Sequence, residues 1–211
     1  MKRTIKYGLG ILLIVFIGYE SVYFKKLNEV LSASSSKTFN PDKYARDFYA
    51  YQLIPRQDSA IDLGRLLTEL KTNPEKTFNA YSHALDIGNI RYFLVKGEGT
   101  VSTVSDDAVG IILKNYPGKT DVNIATEFVY GNALRDASGL IHLNEFTNTT
   151  DFNNISESIN QIVRKEVLPS FKAIVKPRKQ VKIFGAIELN RAHVNLDSIE
   201  VQPIQLSVLN P

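Results

Sequence analysis

The chain has no cysteine and no tryptophan, and only one methionine and three histidines in 211 residues. Without a thiol it can form no disulfide framework, thiolate metal site, iron–sulfur site or thioether lipid, and it has no thiol nucleophile. His83, His142 and His193 are not at metal-ligand spacing, and none belongs to an H-E-x-x-H pattern. There is no G-x-S-x-G nucleophile elbow, and Gly97-Glu98-Gly99 has no lysine at phosphate-loop spacing. The expectation is therefore no catalytic residue, no cofactor and no metal.

Excess charge of one sign is also lacking. The formal net charge is +3, from 25 basic and 22 acidic side chains. Residues 1–26 hold Lys2, Arg3, Lys6, Lys25 and Lys26 against Glu20, so the remainder carries a net charge of −1. A polyanion-binding surface spread over the whole molecule is excluded, and no nucleic-acid partner is expected. The basic run Lys172, Lys176, Arg178, Lys179 and Lys182 reads as solvated cations near a helix C-terminus, favourable to its dipole.

One long uncharged run is present. After Lys2, Arg3 and Lys6, Gly8–Tyr19 reads GLGILLIVFIGY; continued through Phe24, it reaches the roughly 17–20 residues needed to cross hydrocarbon. A secretion signal has a similar start, but it needs small residues ahead of its cut. Phe16 and Tyr19 occupy those places, and Tyr19 also stands where a lipoprotein site would need cysteine. The run also lacks the polar stripe of a buried helix. The reading is an uncleaved single-pass anchor, with Gly8, Leu12, Ile14, Phe16 and Tyr19 in the bilayer. Three cations before the span and two after it favour a cytoplasmic N-terminus. The main domain is then expected on the periplasmic side of a bacterial inner membrane.

Three regions follow: residues 1–37 as cytoplasmic tip, anchor and spacer, 38–88 as a helical subdomain, and 89–211 as a β domain. Ser32–Lys37 is the spacer. Asn40-Pro41-Asp42 predicts a capped helix carrying Tyr44, Phe48 and Tyr51. Ser59 is the expected cap of a second helix, with Ile61, Leu63, Leu66, Leu67 and Leu70 as its stripe and Asn73-Pro74 as its stop. Pro74 is expected to start a third. Period-two patterning then predicts a long strand over Arg91–Val104, bent at Gly97 and Gly99, with further strands at Val109–Asn115 and Asp121–Val129. A short strand at Leu140–Phe146 and a helix from Thr150 or Asp151 to Pro169 follow. Strands at Gln180–Leu189 and Ile199–Val208 complete the pattern. Three strands, a helix and two strands predict an α+β fold: an OB-like antiparallel β-barrel behind the anchor helix and the small helical subdomain.

Tyr92–Thr100 (YFLVKGEGT), Gly131–Ala137 (GNALRDA), Leu143–Asn148 (LNEFTN) and Phe184–Leu189 (FGAIEL) occur in that order behind an Asn-Pro-Asp-Lys-Tyr entry. Together they resemble the predicted periplasmic lipoprotein family known as domain of unknown function 2291, over about residues 38–208. The resemblance implies a bacterial envelope protein with an OB-like domain, encoded beside sugar-type ABC importers, and carries over no catalytic residue. The missing cysteine departs from the lipoprotein pattern.

The candidate ligand-binding residues are Arg135, Asp136, Asn144, Glu145, Phe146 and Asn148. A guanidinium, amides, a carboxylate and a ring together can hold a sugar or a carboxylate. The alternative is a loop pinned by an Arg135–Asp136 or Arg135–Glu145 pair, with Phe146 in the core. The function expected is a membrane-tethered extracytoplasmic binding or interaction module, accessory to an importer. Its expected partners are the lipid bilayer, a transporter or solute-binding protein, and a small sugar-like ligand. An envelope enzyme acting on a saccharide or peptide, and a purely structural envelope protein, are the alternatives.

Overall fold

The structure is a computed structural model that describes residues 39–85, 88–118 and 120–209. The proposed anchor, with Gly8, Leu12, Ile14, Phe16 and Tyr19, lies outside the described residues. Among the described residues no helix is long and apolar enough to cross a membrane. The chain from Asn40 onward forms one compact unit.

Helix α1 (Pro41–Phe48) starts where its capping signals place it. The Asn40 side chain accepts from the Lys43 amide at 2.9 Å, Pro41 opens the first turn, and Asp42 faces the helix dipole. The chain continues through a wide turn at Tyr49–Leu53 and a tight one at Ile54–Gln57. There the Tyr49 hydroxyl donates to the Ile204 carbonyl at 2.6 Å. Burial, then Glu166, pushes this phenol up to about 12.

The expected cap at Ser59 moves three residues on. Ser59 donates to the Arg56 carbonyl, while the Asp62 carboxylate accepts from the Arg65 amide at 2.9 Å and caps α2 (Leu63–Thr72). The intervening Ile61–Asp62 forms β1 and pairs in parallel with Val95–Lys96. Strand pairing brings Ile61 into the core without helical geometry. Asn73 ends α2 and caps α3 (Pro74–Tyr81), which leads into the two-residue β2 (Ser82–His83).

The long strand β3 (Ile90–Val104) serves two neighbours. Residues Ile90–Thr100 pair antiparallel with β6 (Gln180–Asn190), and Gly99–Val104 pair antiparallel with β4 (Ala108–Leu113). At the crossover a Cβ on Gly99 would lie 2.6 Å from the Ile112 carbonyl oxygen, so only glycine admits this approach. Strand β4 pairs antiparallel with β5 (Asp121–Ala125). Strand β5 lies parallel to β7 (Ser198–Leu209), and β7 returns antiparallel to β6. The pairings close in a five-membered circuit, β3-β4-β5-β7-β6-β3, with β1 and β2 added to β3.

The expectation of an antiparallel barrel is therefore corrected: the sheet is mixed and is not a true barrel. Strand directions cannot alternate around an odd-numbered circuit, so at least one pair must be parallel, and here it is β5 with β7.

Between β5 and β6 the chain makes a single helical turn, α4 (Ala133–Asp136), and then α5 (Thr149–Ile162). A wide turn at Val163–Val167 leads to α6 (Leu168–Ile174). The expected helix to Pro169 is present and runs on to Ile174, widened over Val163–Val167 just ahead of Pro169, which has no N–H to donate. Leu140–Phe146 is not a strand; it contains a 3-10 turn at Leu143–Glu145. Strand β5 stops at Ala125, short of the expected Val129.

The leucine stripe of α2 and Phe78 of α3 share one core with Phe93, Val95, Ile124, Val181 and Val201 of the strands. On the other side, α1 packs on α5, with Phe48, Phe152, Ile155 and Ile159 buried and the Ser158 hydroxyl donating to Asp42 at 2.6 Å.

Candidate binding site in the Gly131–Asn148 connection

Two left-handed glycines, Gly131 (φ +78°) and Gly139 (φ +64°), bracket the short turn α4 that carries Arg135 and Asp136. Arg135 is completely buried. Its Nε donates to Asp136 Oδ1 at 2.6 Å and its Nη2 to Oδ2 at 3.1 Å, a two-pronged ion pair between chain neighbours. Nη1 donates to the Phe152 carbonyl at 2.9 Å, and the guanidinium lies 3.5 Å from the centre of the Phe152 ring. A charge this deeply buried persists only when its donors are engaged and its counter-ion is fixed. The Ser138 hydroxyl ties the next turn by donating to the Arg135 carbonyl and accepting from the Leu140 amide.

The other predicted residues fall into three places. Phe146, half-buried, packs 5.6 Å from Phe152 and 5.6 Å, edge-on, from Tyr44. Asn148 caps α5: its Oδ1 accepts from the Asp151 amide at 2.7 Å and its Nδ2 donates to the Asp151 carboxylate. Glu145 is exposed; after burial itself, it is what raises the Tyr44 phenol. Asn144 and Asp136 meet at a cleft of about 360 Å³. Of the six residues, then, the structure brings two to one opening. It places Arg135, Phe146 and Asn148 in the packing around α5.

That cleft also contains two histidines. His83, on β2, and His142 line it beside Gly139, Ile141 and Asn144. The His83 imidazole lies so close to Gly139 that a Cβ there would run into the ring. Burial, then Arg56 and His142, holds the His83 pKa below the usual imidazole range. A neutral imidazole offers one donor and one acceptor nitrogen. Tyr92, paired with His83 across the strands, is pushed up to about 12, first by burial and then by Glu188 and Asp136. The cleft thus presents a pinned carboxylate, an amide and two imidazoles, groups that grip a small polar molecule through hydrogen bonds. Among the described residues no group of three histidines or carboxylates is placed to hold a metal ion.

A mixed circuit of five strands, with helices in the connection between β5 and β6, defines an OB-like α+β protein. The chain belongs to the family described as predicted periplasmic lipoprotein, domain of unknown function 2291, which matches residues 12–207. Among solved structures, an OB-fold protein from Thermotoga maritima is similar, with a TM-score of 0.71 at 24% identity. The match covers 82% of this chain and 100% of that one. At that identity the likeness speaks for the fold. No curated protein matches the chain significantly.

Proposed function

We propose that this protein is a membrane-tethered extracytoplasmic binding module, accessory to a sugar-type ABC importer, that takes its ligand in the cleft of His83, Asp136, His142 and Asn144. The observation that carries the reading is the wall of that cleft. Asp136 is held on both oxygens by a buried arginine, so a polar surface is set rigidly before any ligand arrives. Membership of a periplasmic lipoprotein family supports a place outside the cytoplasm. These 211 residues contain no cysteine to carry a lipid, so the tether we propose is the apolar run Gly8–Phe24, kept as a single-pass span in the inner membrane. Tethering confines the module to the membrane surface and raises its effective concentration near a transporter or solute-binding protein.

The test is co-purification of the full-length protein from cross-linked membranes. Importer components should be recovered with the wild type and depleted with the His142→Ala/Asn144→Ala double variant. Recovery of no importer component from a correctly inserted protein would overturn the accessory role.

A further inference from the structure

A second cleft, again about 360 Å³, opens beside β3 and β6 and shares no residue with the first. Strand register builds its wall. Lys96 and Glu98 stand two residues apart on β3 and so face the same side. Glu98 lies directly opposite Lys182 of β6. The wall therefore runs ammonium, carboxylate, ammonium. The parallel pairing of Asp62 with Lys96 sets the facing wall, from which Asp58 and Asp62 line the cleft. Gly64, Gly97 and Leu113 complete the lining.

Much of the hydrogen-bonding capacity in this cleft is unspent. Lys96 Nζ gives one bond, to the Asp58 carbonyl at 2.7 Å, and one Asp62 oxygen caps α2. Glu98 is only loosely paired, at 3.4 Å from Lys114. Lys182 forms no ion pair among the described residues.

We propose that this cleft binds a neutral polyhydroxylated molecule of monosaccharide size. The charges on the β3–β6 wall alternate instead of separating into two poles. A hydroxyl both donates and accepts, so neighbouring hydroxyls can bridge an ammonium and the carboxylate beside it. An anion would meet Asp58, Asp62 and Glu98, and a cation would meet Lys96 and Lys182; a neutral polyol meets no opposing charge. The volume lies at the lower end of ligand sites, about 300–1,000 Å³, where a single sugar ring fits. The inference depends on neither the tether nor the importer.

The test is isothermal titration of the full-length protein in detergent with D-glucose, D-ribose, inorganic phosphate and putrescine. Saturable binding of a neutral sugar is expected, weakened about tenfold or more by Lys182→Ala or by Glu98→Gln, since each removes a charge-assisted hydrogen bond. Lys176→Ala, an exposed residue that lines neither cleft, should leave it unchanged. Lys182 is exposed, so its variant carries the test even if Glu98→Gln fails to fold. Binding of phosphate or putrescine in preference to sugars would overturn the proposal, as would no sugar binding at all. Sugar binding abolished by His142→Ala but unaffected at Lys182 would assign the sugar to the first cleft instead.

Discussion

Arg135 and Asp136 are neighbours in the chain, and the ion pair between them is sealed from solvent. Truncating Arg135 to alanine leaves a carboxylate buried without its counter-ion. The expected loss is about 3–5 kcal/mol, read as a shift in the urea midpoint. Arg135→Lys should recover little of it, because an ammonium cannot replace the two-pronged fork or the stacking on Phe152. His83 predicts a pH dependence. Its folded pKa is depressed, so below about 6.5 the unfolded chain takes up a proton that the folded chain resists. Stability should therefore fall as pH drops from 6.5 through the folded value, and His83→Gln should remove that step. A His83 pKa at or above 6.5 in an NMR titration would contradict this. At this scale the sequence was half legible. The adjacency of Arg135 and Asp136 already admitted a pinned loop. That the guanidinium would be stacked and sealed depends on Phe152, delivered by a separate helix. The meeting of His83 with His142 depends on β2 pairing with β3, and no local pattern announces a two-residue strand.

The helices were the readable elements because their ends are written in short-range chemistry. Asn40-Pro41 and Asn73-Pro74 each put an amide oxygen where free helix N–H groups need one, whereas α5 is capped by Asn148 and not by the expected Thr150 or Asp151. Asn148→Ala should cost about 1 kcal/mol in thermal or urea unfolding, while Asn148→Asp should cost little, because a carboxylate also caps. Where the reading missed, a competing contact had taken over. Asp62 displaced Ser59 as a cap because Ile61 was drawn into strand pairing. The helix expected to reach Pro169 does so, widened over Val163–Val167 where proline has no donor to give. Long strands and their glycine bend were visible in the period-two pattern and in Gly99. The parallel contact of β5 with β7 was not, since it joins segments far apart in the chain.

At the scale of the whole molecule, the fold offers one polar cleft in the Gly131–Asn148 connection and another beside β3 and β6, while the sequence outside the described residues supplies an apolar run with cations before it. The family places such chains in the bacterial envelope as lipoproteins, and this one lacks the residue that lipidation requires. A protein span does the same physical work as a lipid, since both hold a soluble unit at the bilayer surface. The tether we propose and the clefts serve a shared purpose only if the unit lies outside the cytoplasm. The most direct measurement is a phosphatase that folds only outside the cytoplasm, fused after Pro211 and expressed in living bacteria. The account predicts an active reporter that sediments with the membranes. A silent reporter, with a cytoplasm-restricted fluorescent fusion at the same position glowing, would contradict it.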